Sequence, residues 1–285
     1  MTTLAQVSDF RAAIDDLSTL AVRDLREVLR GLEKATPAEV RNVLKDVLPQ
    51  LVTPYVEASG QMAASWYEDL RAVAVGGAFT AVSAARVDTA QVKGLVGWGV
   101  SPLFGQSQST VLSLTSGGLQ RLVAGGARDT IQQNAHSEQG ATGYARIPRT
   151  GCCAFCGMLA SRGPIYRSKA SSSTVVGRGV DSSIALDENG NRRAGYVGGV
   201  GGGVKARGSQ DIGLDYHRNC RCMAAPVFQG ETFFEPVQTK YLDMYQETGG
   251  LSLSEYSRRD PNNAQFNSTN LKGTLASWRE VHGTR

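Results

Sequence analysis

Apolar side chains recur at intervals of three and four residues through the first half of the chain, a spacing that places them on one helix face. A first apolar stripe covers residues 10–32, and a second covers residues 40–48. The tetrapeptide that begins at Thr36 has the form of a capping box with proline in the first helical turn. The pattern therefore predicts two helices here, and we expect Pro49 and Pro54 to kink or end the second.

The helical pattern continues as far as about residue 135. A stretch rich in alanine and valine predicts a third helix over residues 57–86, and shorter helical patterns cover 88–99 and 107–135. The strict alternation of apolar and polar residues that marks half-buried strands is absent from this half. We therefore expect residues 1–139 to form a helical domain.

The character of the chain changes near Gly140. Residues 163–213 contain 12 of the 33 glycines, so a helix is not expected there, since each interior glycine costs about 1 kcal/mol. A Gly/Ser-rich stretch of this length is typical of a functional or disordered loop. The tail, residues 229–285, has helical patterns over 236–247 and 270–282.

The cysteines of the chain lie in two groups between positions 152 and 222. The first group has the form Cys-Cys-x-x-Cys, and the second has the form His-x-x-Cys-x-Cys. Zinc prefers four tetrahedral nitrogen and sulfur ligands, which two such groups supply together. Closure of the chain on the metal would also reduce the importance of the poor folding propensity of the intervening loop. The expected ligands are Cys153, Cys156 and His217, with Cys220 and Cys222 competing for the fourth place and Cys152 the weakest candidate.

The sequence also allows two other states of the same cysteines. They are a disulfide between the groups, formed in an oxidising medium, and a set of thiols that bind nothing. Arginines beside the two groups are expected to hydrogen-bond the thiolates or to contact DNA. They are Arg162, Arg218 and Arg221.

The fold class that follows is a mainly α N-terminal half and a second, smaller module. We expect residues 140–228 to form a small α+β or irregular zinc-knuckle module that carries the long Gly-rich insertion 163–213. A partly helical tail then completes the chain. Zinc is the expected cofactor, in a structural role.

A catalytic interpretation competes with the structural one. A thiol with His217 could act as nucleophile and base, as in cysteine-type proteases. No Asn or Asp stands out as the third group that would orient the base. His136 and His282 are expected to be surface histidines. We therefore expect a non-enzymatic protein.

Charge is concentrated in the cysteine-containing part of the chain. Residues 146–222 hold twelve basic and five acidic side chains, which gives that window a net charge of +7 within a chain of net charge +4. Contact with DNA phosphates or with an acidic protein surface would explain this excess, and so would ordinary solvated charge. Aromatic residues do not form a platform for stacking bases.

The apolar runs are too short for a membrane helix, which needs about 18 or more consecutive apolar residues. The best candidate, residues 73–85, is shorter and is interrupted by glycines and polar residues. The first residues lack a basic segment followed by an apolar run, so we expect no secretory signal and reduced thiols in a cytoplasm.

The pairing of Cys153-Ala-Phe-Cys156 with His217-Arg-Asn-Cys220-Arg-Cys222, behind a helical half, resembles the phage Mu protein F-like (MuF-like) minor head proteins. The segment from Cys156 to Gly163, followed by Tyr166, is similar to versions encoded by phages of actinobacteria. The resemblance covers roughly residues 60–228, and its specific motifs amount to about a dozen residues. The long Gly/Ser-rich insertion departs from the compact members of that family.

The resemblance implies a minor capsid protein of a tailed phage. Such a protein would lie inside the head near the portal, after assembly in the host cytoplasm, and would assist head assembly or genome packaging and delivery. The implied partners are the portal protein, the major capsid protein and packaged double-stranded DNA. Two alternatives are kept, a cysteine-type capsid maturation protease and a DNA-binding zinc module.

Overall fold

Long helices fill the first half of the chain, and short strands and helices follow. The computed structural model describes residues 3–104, 108–149, 151–161, 179–180, 210–211, 222–230, 235–247 and 278–283. The elements in chain order are α1 (Leu4–Gly31), α2 (Pro37–Ala74), α3 (Thr89–Gly99), a 3-10 turn (Ser101–Phe104), α4 (Gln108–Ser137), β1 (Ala141–Ile147), α5 (Ala154–Ala160), β2 (Gly179–Val180), β3 (Gln210–Asp211), β4 (Met223–Phe228) and α6 (Glu235–Glu247). Residues 278–282 are also helical. The prediction of a mainly helical N-terminal half and a partly helical tail is confirmed.

The first two helices begin at capping boxes. Thr36 accepts a hydrogen bond from the Glu39 amide at 3.3 Å, and the Glu39 carboxylate accepts one from the Thr36 amide at 2.7 Å. These hydrogen bonds lower the pKa of Glu39. The predicted cap at Thr36 is therefore confirmed, and an equivalent box is present at Thr3 and Gln6. Each box satisfies amide groups that the first helical turn leaves without a partner.

Pro49 and Pro54 were expected to kink or end the second helix, but helix α2 continues through both and includes the start of the helix predicted from residue 57. Each proline removes one backbone hydrogen bond and costs about 3 kcal/mol. The apolar stripe nevertheless continues in phase across both prolines, and Pro49 is itself buried. Leu48, Val52 and Val56 are also buried. Packing of this stripe against the other helices outweighs the loss of hydrogen bonds.

An extended segment follows α2, where the sequence predicted that the third helix continues to residue 86. Gly76 and Gly77 have φ values of +77° and +72°, a conformation that suits glycine and ends the helix. We call residues 79–85 the strap. It crosses α2 and α4, and side chains of both helices bond its backbone. The helix was predicted too long because an apolar run rich in alanine and valine fits either a helix or an extended chain.

Asn134 of α4 provides the main attachment of the strap. Its side-chain oxygen accepts from the Val82 amide at 2.9 Å, and its side-chain nitrogen donates to the Val82 carbonyl at 2.8 Å. Thr130 accepts from the Ala84 amide at 3.0 Å. Glu68 of α2 accepts from the Ala81 amide at 2.8 Å. The helices therefore supply the hydrogen bonds that a neighbouring strand would otherwise provide.

Strands β1 and β4 form an antiparallel pair in which Tyr144 lies opposite Pro226 and Ile147 lies opposite Met223. Strands β2 and β3 form a second, parallel pair. These two short strands are the described part of the predicted insertion 163–213, and the rest of that insertion lies outside the described residues. Within the described ranges, no helix has the length and apolar composition that crossing a membrane requires.

Two apolar clusters form the core. One lies among α1, α2, α3 and α4 and includes Leu25, Leu44, Val52 and Leu119. The other joins α1, α2 and α4 to the β1–β4 sheet, α5, α6 and the C-terminal helical segment. Aromatic contacts lie within it, including an edge contact of Tyr67 with Phe228 at 5.5 Å between ring centroids. The β1–β4 sheet is therefore packed directly on the helical half, and α5 packs on β1 and α6.

Candidate functional site

The Cys-x-x-Cys group lies at the start of α5. Cys153 is the N-cap residue of that helix, and its sulfur accepts a hydrogen bond from the Cys156 amide at 3.5 Å. The Cys152 amide donates to the Arg149 carbonyl at 3.1 Å, which closes the turn that precedes the helix. Cys156 is only 1% exposed. The first turn of α5 and its N-cap residue thus present two sulfur atoms, those of Cys153 and Cys156.

Cys222 reaches the same place through the sheet. It immediately precedes β4, and β4 begins opposite Ile147, the last residue of β1. The chain leaving β1 runs into the cysteine turn within a few residues, so antiparallel pairing brings the start of β4 beside that turn. Cys222 is 2% exposed and lies in one cluster with Cys156, against which Cys152 and Cys153 pack. The described cysteines of the two sequence groups therefore meet.

Two arginines from the helical half attach to the backbone around the cysteines. Arg128 of α4 is buried, and its Nε donates to the Cys222 carbonyl at 2.8 Å. Arg11 of α1 donates from Nη2 to the Ile147 carbonyl at 3.2 Å. Burial lowers the pKa of Arg11, and the nearby Cys222 opposes that shift. Cationic groups close to the sulfur atoms favour thiolates over thiols.

Helix α6 closes another side of the cluster. The Cys152 thiol donates to the Tyr241 hydroxyl at a sulfur–oxygen distance of 3.6 Å. Burial raises the pKa of Tyr241, and a negative charge on Cys152, present when that thiol is deprotonated, raises it further. Tyr241 therefore stays protonated at neutral pH and able to form hydrogen bonds with the sulfur.

The described residues alone do not form a metal site. Among them, no group of three or more His, Cys, Asp or Glu side chains is arranged so that it could hold a metal ion. No disulfide joins the four described cysteines to one another. The predicted ligands His217 and Cys220 lie outside the described residues, as do Arg162, Arg218 and Arg221. Zinc coordination therefore stays a prediction.

One of the two histidines expected on the surface, and one arginine of the basic window, lie inside the protein. His136 is exposed, whereas the ring of His282 is mostly buried and lies 2.9 Å from the Met244 carbonyl oxygen. Arg146, counted within the basic window, is only 3% exposed. Its charge is therefore directed into the protein, and it does not contribute to a face that DNA could contact.

Three neighbours of the cysteines were not predicted from the sequence, namely Arg11, Arg128 and Tyr241. One signal was available for Arg128, because it lies within the run of buried positions on α4 that includes Ala127 and Ile131. A charged residue in an apolar stripe is almost never buried without a partner, so its position indicated a buried polar contact. Arg11 similarly follows Phe10 at the edge of the α1 stripe. Nothing in the spacing connected Tyr241 to Cys152.

Comparison with models of known protein families identifies the family of the chain. A family model described as "VG15 protein" matches residues 1–248, which include every predicted zinc ligand. No curated protein and no solved structure was found to match the chain. Because the match extends over most of the sequence, the chain belongs to the VG15 family and is a phage protein.

Proposed function

We propose that the chain is a minor structural protein of a tailed-phage head. It lies inside the head near the portal and assists head assembly or the packaging and delivery of DNA. The portal protein and the major capsid protein are its proposed partners, and packaged double-stranded DNA is a further one. After synthesis in the host cytoplasm it becomes part of the virion.

The observation that carries this proposal is the meeting of Cys156 and Cys222 in one buried cluster. The resemblance to MuF-like head proteins rests on the two cysteine motifs, and it requires those motifs to come together in space. Membership of a phage protein family agrees with the same origin.

Particle assembly tests the proposed role. We would coexpress the chain with the portal and major capsid proteins of the same phage and sediment the particles that form. The chain should sediment with particles at low copy number when the portal is present, and it should remain in the supernatant when the portal is omitted. Particles that never contain the chain would contradict the proposal.

The same coexpression separates the structural role from a maturation protease. A protease would cleave the major capsid protein, and a His217→Ala variant that still folds would lose the cleavage. A structural protein leaves the capsid protein uncut in both cases. Salt-sensitive DNA binding without any portal association would instead favour a DNA-binding module.

We further propose that the cysteine cluster completes a structural zinc site. The ligands are Cys153, Cys156, His217 and one residue of the Cys220/Cys222 pair. The hydrogen bond from the Cys156 amide to the Cys153 sulfur and the burial of Cys222 support this assignment. When bound, zinc would hold the start of β4 against the turn before α5 through bonds to deprotonated sulfur.

Metal content tests the zinc site, and the chain provides a matched control. The full chain should contain about one zinc per molecule by elemental mass spectrometry, and Cys153→Ser combined with Cys156→Ser should abolish it. Cys152→Ser should retain the metal, because that thiol is directed to Tyr241. A folded wild-type protein without metal would overturn the assignment.

A further inference from the structure

The C-terminal helical segment, residues 278–282, contributes a side chain to the core near the cysteines. Trp278 is 0% exposed and is among the largest fully buried side chains of the described part of the chain. It lies beyond residue 248, where the match to the family model ends. Burial of a tryptophan contributes strongly to stability, so this contact is a substantial part of the fold around α5.

Gly157 provides the space that Trp278 occupies. A Cβ atom at Gly157 would lie 2.6 Å from Cζ2 of the Trp278 ring and 3.2 Å from its Cε2. Contacts of this kind do not occur between unstrained side chains, so an alanine would displace the ring. Gly157 directly follows Cys156 in α5, and the indole ring therefore covers the helix face next to a buried thiol.

The other end of the segment attaches to α6. The His282 ring nitrogen Nε2 lies 2.9 Å from the Met244 carbonyl oxygen and 3.7 Å from a carboxylate oxygen of Glu247. The rings of His282 and Trp278 contact each other edge to face, with centroids 5.4 Å apart. The segment therefore spans from α5 to the end of α6.

We propose that residues 278–282 are a detachable clasp that packs on α5 beside Cys156 and controls the access of metal ions and thiol-directed reagents to that thiol. Helices shorter than about 12–15 residues are marginal on their own, so the clasp depends on its two contacts. Residues 248–277 separate the clasp from α6 in the sequence, and the described contacts of the clasp include α5 and α6. Segments of this kind open at a lower free energy than the core. The proposal does not depend on the capsid role or on zinc.

The experiment measures local opening of the full chain. Hydrogen–deuterium exchange reports the α5 amides, and alkylation by N-ethylmaleimide with peptide mapping reports Cys156. Both are recorded after treatment with a chelator, so that bound metal cannot protect the thiols. Two variants release the clasp from opposite sides, Trp278→Ala and Gly157→Ala. Trp66→Ala and Gly125→Ala are the matched controls, because Trp66 stacks on Phe10 and Gly125 has open space around it.

Both clasp variants should raise α5 exchange and Cys156 alkylation by at least about tenfold, while exchange of α4 amides stays unchanged. The control variants should keep the wild-type rate at Cys156. Wild-type rates in a folded Trp278→Ala or Gly157→Ala protein would overturn the proposal. The same holds if the controls expose Cys156 equally, or if α5 of the chelator-treated wild type is already unprotected.

Discussion

Two adjacent glycines of α4 should respond in opposite ways to alanine. A Cβ atom at Gly126 would lie 2.4 Å from the Val56 carbonyl oxygen and 2.5 Å from Oγ of Ser59, both on α2. Restoring an ordinary contact of about 3.5 Å requires α2 and α4 to separate by roughly 1 Å. At Gly125, by contrast, the added carbon would have no atom within 4 Å other than its chain neighbours and the backbone of its own helix. The pair therefore isolates helix–helix contact from helix propensity.

The magnitudes follow from the contacts. Overpacking at Gly126 costs about 1–3 kcal/mol. Ser59 donates to the Val123 carbonyl at 2.6 Å, and disturbing that hydrogen bond costs about 1 kcal/mol more. Replacing a helical glycine returns about 1 kcal/mol, so the net loss for Gly126→Ala is about 1–3 kcal/mol. Gly125→Ala receives only the gain, of about 0.5–1 kcal/mol.

Urea unfolding followed by circular dichroism measures both free energies of unfolding. Gly126→Ala should have a lower midpoint than the wild type, and Gly125→Ala should have an equal or higher one. An unchanged m-value would show that the compactness of the two states is the same. Equal midpoints for the two variants would refute the close approach of α2 and α4 on which the fold depends.

Two further predictions concern the strap and the buried tyrosines. Asn134→Ala removes both hydrogen bonds to Val82 and should lower the free energy of unfolding by about 1–3 kcal/mol in urea titrations. Gln133 is exposed, so the control variant Gln133→Ala should change that free energy by less than about 0.5 kcal/mol. Equal effects of the two variants would contradict the role of Asn134. Burial raises the pKa of Tyr67 and Tyr241, so the folded state holds their protons more tightly than the unfolded chain, in which tyrosine titrates near pH 10. The resulting stabilisation of the folded state is complete below about pH 10 and is lost as the pH rises further. Absorbance at 295 nm should therefore show at least two tyrosines that ionise only when the helical signal is lost, and ionisation of all tyrosines in the folded protein would contradict the burial of Tyr67 and Tyr241.

Local rules were enough to predict most of the helices. The capping box at Thr36 and the apolar stripes of α1 and α4 act over three or four residues, a range that the sequence displays directly. The expectation that Pro49 kinks or ends the second helix follows from an equally local rule. The helix does not end there, because burial of the stripe on both sides of the proline outweighs the lost hydrogen bond, and that gain depends on where α4 lies.

The strap could not be predicted for a related reason. Its backbone hydrogen bonds come from Asn134, Thr130 and Glu68, which are distant in sequence and lie on two different helices. Nothing in the composition of residues 79–85 indicates that polar side chains elsewhere will pair with it. The paired glycines at positions 76 and 77 were the available signal, since two successive glycines favour the end of a helix.

The cysteine motifs predict that the two groups of cysteines come together, but they do not predict which other residues lie around them. Two ligand-type groups must meet if they bind one ion, so spacing alone led to the expectation that Cys156 and the Cys222 segment come together. The pairing of β1 with β4 achieves this geometrically. The contacts of Arg128 with the Cys222 backbone and of Tyr241 with Cys152 depend on packing of separate helices. Those contacts hold the Cys222 backbone and the Cys152 sulfur, so the arrangement of the cluster depends on the whole fold, and the proposed zinc would add bonds at a place where the described cysteines already lie together.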